Sequence, residues 1–304
     1  MLGGLRTPGR YRAARAKLQP IRHIQGFTIV ETMIVLAVTG LLLTSAMLLI
    51  NGKQNQTAFD QAIRQVQSQI QQRINEVATG YYNNTGNIQC NGSGGIVILT
   101  KAGGTGQGQN AGCIFLGKVL QFQVGTNDPE RFNVYSIAAL QKGGPGGTES
   151  STLALAKPKA IAPPSSDPAG NTPDATETQT LQNGLTTYKM WYNNGGGNKN
   201  IGGVAFLMTL AQFSSNGAIS SGSQSIDVVP IDDNGNKSAL GQSQSNMVDA
   251  INSQLPSATV VNPTNGVFIC FVSAGTNQSG LITIGNQNRQ LSVKLDIKGN
   301  KTCS

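Results

Sequence analysis

A run of 24 residues, 27–50, contains a single charged side chain, Glu31, and limits the folds open to this chain. As an α-helix rising about 1.5 Å per residue, the run would extend roughly 36 Å, which is enough to cross a hydrocarbon core of about 30 Å with some tilt. The apolar core of an ordinary signal peptide is shorter, about 7–15 residues. We therefore expect residues 27–50 to form one membrane-spanning helix.

The net charge of +8 comes mainly from the segment before this run. Residues 1–26 hold six basic residues and no acidic one, so the rest of the chain has 22 − 6 = 16 basic against 14 acidic residues. The positive-inside rule places such a basic segment in the cytoplasm. Aromatic residues are only 5% and do not alternate with basic ones, so we expect no direct nucleic-acid binding. The six basic residues are Arg6, Arg10, Arg12, Arg15, Lys17 and Arg22.

The junction between the basic segment and the apolar run reads QGFTIVE at residues 25–31. This sequence resembles the processing site of type IV prepilins, a Gly followed by F-T-[LI]-x-E and an uninterrupted apolar stretch. The resemblance implies that residues 1–26 are a leader, that prepilin peptidase cuts between Gly26 and Phe27, and that the new amine of Phe27 is methylated. It also implies assembly with other pilin or pseudopilin subunits by a platform in the inner (cytoplasmic) membrane.

Glu31 calls for an explanation on physical grounds as well. A carboxylate at the centre of a membrane span costs about 2.5–3.5 kcal/mol, and less near an interface. The resemblance implies that Glu31 pairs with the Phe27 amine of a neighbouring subunit during assembly. The alternative is a tolerated interfacial acid. A second alternative concerns processing, since Thr44 and Ala46 form a weak conventional cleavage site that would leave Met47 as the first residue.

The segment that follows, residues 51–82, has the pattern of an amphipathic helix. Its apolar residues recur every three or four positions, and Gly80 provides a stop. We expect this half of the helix to lay its apolar side on a globular head formed by residues 83–304. The apolar residues are Phe59, Ile63, Val66, Ile70, Ile74 and Val77.

The head is expected to be rich in β-strands, because short apolar runs alternate with Gly and Asn turns. One short helix is expected at 247–255, and residues 141–182 are expected to be a long loop insertion. The predicted fold class is therefore α+β, a long N-terminal helix on a mainly antiparallel sheet, which is pilin-like. Strands are predicted near 95–100, 113–124, 131–138, 185–192, 201–213, 226–231, 266–272, 280–285 and 290–298.

Four cysteines, Cys90, Cys113, Cys270 and Cys303, allow three pairings. Proximity in sequence favours Cys90 with Cys113 and Cys270 with Cys303. An exported chain favours disulfides over free thiols, and the absence of a C-x-x-C spacing or a nearby histidine argues against zinc. A C-terminal disulfide loop is similar to what many pilins and the GspH/FimT group of minor pilins contain.

Catalytic motifs are weak. The one histidine, His23, lies in the predicted leader, so the mature chain would have no imidazole for catalysis. Residues 112–118 match the start of a P-loop, but Val119 replaces the required Ser or Thr. Residues 232–243 match part of a calcium loop, with Lys237 in place of its Gly. We expect no enzyme activity, no cofactor and no bound metal, with calcium at this loop left open.

Two classes of function are compatible with the sequence. The first is a structural subunit, a minor pilin or pseudopilin of a type IV pilus, a type II secretion pseudopilus or a DNA-uptake filament. It would span the membrane once before assembly and then join an extracellular or periplasmic filament, with its head outside the cytoplasm. The second is a membrane-anchored binding or adhesion module with an ordinary signal anchor.

Overall fold

The computed structural model describes residues 26–81, 88–93, 96–101, 113–123, 128–143, 147–167, 172–193, 196–210, 225–232, 240–258, 266–287, 290–300 and 302–303. The chain divides into two compact units, Met1–Ile50 and Asn51–Ser304. Side chains are described for most of these residues, but not for 48–52, 88–93, 96–101, 286–287 or 290.

The first element is the helix α1 (Ile29–Ala78). It begins after Thr28, whose Oγ1 accepts a hydrogen bond from the Glu31 backbone N–H at 3.2 Å. It ends at Gly80, which has a φ of 68°, with the N–H of Gly80 donating to Val77 O and that of Tyr81 to Glu76 O. These two bonds form a Schellman motif, which requires the left-handed conformation that glycine adopts readily. The stop predicted at Gly80 is confirmed.

Within the first unit, α1 carries a stretch that is long and apolar enough to cross a membrane, Ile29–Met47, with a mean hydropathy of 2.0. None of this stretch is buried inside the protein. Large apolar side chains such as Leu36 and Leu41, each 71% exposed, cover its surface. The stretch lies inside the span 27–50 expected from the sequence.

The second unit contains three antiparallel sheets. The smallest is the pair β1 (Ile88–Ser93) and β2 (Ile96–Lys101). The six-stranded sheet has the order β10-β9-β3-β4-β5, with β6 also paired to β4, and its strands are β3 (Cys113–Phe122), β4 (Arg131–Leu140), β5 (Lys159–Ala160), β6 (Glu177–Thr180), β9 (Gly203–Met208) and β10 (Ile226–Ile231). The five-stranded sheet has the order β13-β12-β11-β7-β8, and its strands are β7 (Leu185–Asn193), β8 (Asn198–Asn200), β11 (Val267–Ser273), β12 (Ser279–Gln287) and β13 (Gln290–Lys298). The α+β class predicted from the sequence is confirmed.

The six-stranded sheet is buried on both faces. On one face, Leu120 and Phe122 of β3 join the first core, which also contains the apolar stripe of α1 and the inward residues of the five-stranded sheet. On the other face, Val119 joins a second core beneath α2 (Leu153–Ala156), α3 (Gln244–Gln254) and the short 3₁₀ turn Leu255–Ser257. Alternate residues of a strand point to opposite faces, so β3 serves both cores.

The strand predictions near 131–138, 185–192, 226–231, 266–272 and 290–298 agree with β4, β7, β10, β11 and β13. The predicted helix at 247–255 begins earlier, because Ser243 Oγ accepts the N–H of Asn246 and caps α3. The short strands β1, β5, β6 and β8 were not predicted, since they are short and mostly polar and carry little apolar periodicity.

The loop expected at 141–182 needs a correction. The segment contains α2, β5 and β6, and both strands pair with β4. Ala156, Ala160 and Ala162 are buried in the second core. The composition, rich in Ala, Pro and Thr, resembles that of a loop, but small alanine side chains let this segment pack closely against the sheet.

Close contact between α1 and β12 requires a glycine at position 280. A Cβ at Gly280 would overlap Cδ1 of Ile63, which is fully buried. We expect Gly280→Ala to lower the free energy of unfolding by about 1–3 kcal/mol through overpacking. Ile63→Val alone removes the overlapping Cδ1 at a cost of about 0.5–1.5 kcal/mol. The double variant should therefore lose less stability than the sum of the two single variants, as measured by denaturant unfolding.

Gly299→Ala is the matched control, because a Cβ there meets no atom within 4 Å. It should leave the free energy of unfolding almost unchanged. Additive losses in the Gly280→Ala and Ile63→Val pair would contradict the proposed contact.

Candidate functional site

The N-terminal motif lies at the start of α1. Phe27 is 78% exposed, directly before the capping residue Thr28. Glu31 lies in the first turn, where the partial positive charge of a helix N-terminus favours a carboxylate. The capping bond involves the backbone N–H of Glu31 and not its side chain. The exposed carboxylate of Glu31 therefore takes no part in the cap.

The remaining polar side chains of the apolar stretch are satisfied inside the helix. The hydroxyl groups of Thr32, Thr39, Thr44 and Ser45 donate to backbone carbonyls three or four residues earlier, as in Thr39 Oγ1 to Val35 O at 2.8 Å. Such bonds remove most of the cost of a hydroxyl in an apolar medium. Glu31 is the only acidic or basic residue in Ile29–Met47, so this stretch offers it no ion-pair partner.

Residues 21–47 match a family model, the prokaryotic N-terminal methylation motif. The chain carries a type IV pilin leader motif. The match includes Gly26, Phe27 and Glu31 and ends where the apolar stretch ends. The head lies outside it, and neither a curated protein nor a solved structure matches the chain. The prepilin resemblance noted in the sequence is thus confirmed, without a subfamily.

One disulfide fixes the C-terminal tail of the second unit. Cys270 of β11 is bonded to Cys303 with a Cα–Cα distance of 5.9 Å, and Ser279 Oγ donates to Thr302 O. Cys113 is also disulfide-bonded. The side chain of its expected partner, Cys90, lies outside the described residues, and that pairing stays a prediction.

The structure describes part of the P-loop match and only part of the calcium-loop match. Gly117 and Lys118 of the P-loop match lie in β3, and Gly117 packs against the backbone of Phe206, which leaves no phosphate-binding loop there. Most of the calcium-loop match, 233–239, lies outside the described residues. Among the side chains that the structure describes, no three His, Cys, Asp or Glu residues are grouped to hold a metal ion.

A buried polar chain crosses the six-stranded sheet. Tyr135 OH donates to Gln121 Oε1 at 2.5 Å, and Asn133 Nδ2 donates to Tyr135 OH at 3.1 Å. Thr178 Oγ1 of β6 donates to Asn133 Oδ1 at 2.9 Å. Burial raises the pKa of Tyr135, and its ring is fully enclosed. The group joins β3, β4 and β6, and its members Gln121, Asn133 and Tyr135 are at most 1% exposed, so we assign it a structural role.

Sequence reasoning missed a cluster of four charged residues between α1, β3 and β6, which we name the charge cluster: Arg73, Glu76, Lys118 and Glu177. Lys118 Nζ lies 2.5 Å from Glu76 Oε2 and 3.4 Å from Glu177 Oε1. Arg73 contacts Glu76 at 2.8 Å and Glu177 at 2.8 Å through its two terminal nitrogens. Two cations and two anions thus form a closed, neutral ring.

The charge cluster is desolvated. The side chain of Lys118 is 0% exposed, those of Arg73 and Glu76 are 12% exposed, and that of Glu177 is 19% exposed. Burial opposes ionisation of Glu76, but hydrogen bonds from Lys118 and Arg73 outweigh it and lower its pKa below the ordinary 4.5. Removing one member of such a buried group costs about 3–5 kcal/mol, because the others remain buried without compensation.

The lowered pKa of Glu76 predicts how the stability of the head depends on pH. A carboxyl whose pKa is lower in the folded state adds stability above its unfolded value, and that contribution is lost as the pH falls through the folded pKa. We expect the free energy of unfolding to decrease below about pH 4.5, the ordinary value for Glu76. The variant Glu76→Gln should be destabilised most at neutral pH, and its free energy of unfolding should approach that of the wild type in acid. Denaturant unfolding from pH 7 to pH 3 measures this.

Glu130→Gln is the control, since this side chain is exposed. It should change the free energy of unfolding little at neutral pH. If the free energies of unfolding of the wild type and Glu76→Gln differed by the same amount across the pH range, the charge of Glu76 would make no contribution to stability.

Proposed function

We propose that this protein is a structural subunit, a minor pilin or pseudopilin, that prepilin peptidase processes and that assembles with other pilin-type subunits. The filament is a type IV pilus, a type II secretion pseudopilus or a DNA-uptake filament. The observation that carries the proposal is the methylation motif at residues 21–47, followed by an exposed apolar helix. The subunit is held in the inner (cytoplasmic) membrane by this helix until the assembly platform incorporates it, and the head lies outside the cytoplasm.

The chemistry of Glu31 supports assembly over simple anchoring. Cleavage after Gly26 creates a positive amine on Phe27, one residue before the helix cap at Thr28. Methylation of this amine retains its charge. A carboxylate in the apolar stretch needs such a cation, and its own stretch provides no basic side chain. The amine of a neighbouring subunit supplies the partner in our proposal, and an ordinary signal anchor would have no need for the acid.

The architecture of the head supports a specialised subunit. The second unit spans residues 51–304 and includes a second core under α2 and α3, in addition to the core that packs on α1. A large head with a second core suits a minor subunit of the filament better than a major subunit, which is repeated in tight packing along the filament. The alternative, a membrane-anchored binding or adhesion module, shares the head but not the requirement for processing at Gly26.

Processing provides the first test of this function. Co-expression with a prepilin peptidase should produce a chain of 304 − 26 = 278 residues that starts at Phe27 and carries a methylated amine. Mass spectrometry of the N-terminal peptide measures the cut and the added methyl mass. Gly26→Leu is the control and should leave the leader attached. A mature chain that starts at Met47 would instead indicate conventional cleavage and would overturn the proposal.

Glu31 provides the second test. Glu31→Leu should be cleaved and inserted normally, because it makes the apolar stretch more apolar, but its incorporation into filaments should fall by about tenfold or more. Comparison of sheared-filament and membrane fractions gives the ratio.

Thr39→Leu is the matched control for this experiment. Thr39 bonds only to carbonyls of its own helix, so its replacement also makes the stretch more apolar but removes no charge. It should enter filaments like the wild type. Equal incorporation of Glu31→Leu and the wild type would show that the residue is a tolerated interfacial acid.

A further inference from the structure

The helix α1 has a defined first residue. It begins at Ile29, and both Phe27 and Thr28 lie outside it. Thr28 is the N-cap, because its backbone carbonyl accepts the N–H of Thr32 at 3.1 Å and its Oγ1 accepts the N–H of Glu31 at 3.2 Å. An N-cap residue has a non-helical backbone, so the chain before it leaves the path of the helix. Phe27 is therefore not part of the first helical turn.

The backbone N–H of Glu31 has two possible acceptors. In a regular α-helix it would donate to the carbonyl four residues earlier, which is that of Phe27. In the structure it donates to Thr28 Oγ1 instead. An N–H in an apolar medium needs an acceptor. Removal of the Thr28 hydroxyl therefore favours the bond from Glu31 to the Phe27 carbonyl, which brings Phe27 into the helix.

The position of Phe27 decides which carboxylate its amine can meet. The side chain of a helical residue covers the turn on the N-terminal side of its own Cα. If Phe27 belonged to the helix, the amine created by cleavage would lie in the turn that Glu31 covers. Opposite charges attract strongly in an apolar medium, so the amine and the carboxylate would pair within one chain. Neither group would then be available to a neighbouring subunit.

We propose that Thr28 is a positioning residue that keeps the Phe27 amine away from the Glu31 carboxylate of its own chain. The pair between these two groups then forms between subunits, where it supports assembly. The inference rests on the proposed function, because the amine exists only after cleavage at Gly26. It adds the physical reason why the pair joins two chains instead of closing within one.

Carbodiimide coupling tests which groups meet. The reagent joins an amine and a carboxylate that are in contact into an amide, and it takes up the water that is released. It is applied to the mature full-length monomer in detergent, and mass spectrometry then detects N-terminal peptides that are lighter by one water molecule. The wild type should form little of this intrachain product.

The variant Thr28→Val keeps the shape of the side chain but removes the acceptor. Its intrachain product should increase by roughly fivefold, the factor that corresponds to the loss of a helix cap. Its incorporation into filaments should fall by a similar factor. In wild-type filaments, the same reagent should instead join neighbouring chains.

Two rescue variants and one matched control accompany this experiment. Both Thr28→Ser and Thr28→Asn retain an N-cap, and asparagine does so without a hydroxyl group, which separates capping from a hydroxyl contact with another protein. The control Thr32→Val makes the same chemical change one turn later, where the hydroxyl only donates to carbonyls of its own helix. All three should give the wild-type amounts of intrachain product and of filament.

Equal amounts of intrachain product in the wild type and Thr28→Val would overturn the proposal, and so would a failure of Thr28→Asn to restore assembly. A Thr28→Val chain that keeps its leader would overturn it as well, because Thr28 would then act at the peptidase. These results leave the proposed function intact, provided that the wild type is cut after Gly26 and enters filaments. A wild type that does neither would contradict the proposed function itself, and this inference with it.

Discussion

The head is organised around the burial of one side of α1. Both large sheets direct apolar side chains toward it, and Phe59, Ile63 and Ile70 are at most 1% exposed at the centre of the first core. Full burial of such a side chain contributes about 1.5–3 kcal/mol. Without α1, the inner faces of both sheets would meet water. The part of α1 that lies in the second unit is therefore an integral part of the core of the head.

The charged residues of α1 differ in whether the chain supplies a counter-charge for them. In the second unit, the charges of Arg73 and Glu76 are compensated by Lys118 and Glu177 within the chain. In the first unit, Glu31 lies in a stretch without basic residues. A carboxylate in an apolar medium needs a counter-charge, so any partner of Glu31 must come from outside this stretch. This contrast separates charges that are compensated within the second unit from a charge that has no counter-charge in its own stretch.

The sequence predicted the features that depend on local pattern. The apolar residues that recur every three or four positions, together with the stop at Gly80, predicted the part of α1 that packs on the head. The alternation of Leu291, Val293 and Leu295 with polar residues predicted β13. The double burial of the six-stranded sheet was not predicted, because a strand covered on both faces loses its alternation. The packing of residues 141–182 was missed for a related reason. Four of the six buried hydrophobic residues that the structure describes in this segment are alanines, which carry almost no periodic signal but fit closely against a sheet.

The charge cluster could not be found from the sequence, because each member has a common local explanation. The sequence pattern of α1 predicts that Arg73 and Glu76 form an exposed pair three residues apart. Lys118 has the pattern of an outward residue of a strand, and Glu177 lies in a polar segment. Only the tertiary fold brings them together. Opposite charges in a dry interior must meet in one arrangement, and here that arrangement joins residues that are far apart in the sequence. Contacts of this kind are thus the ones that local sequence patterns describe least.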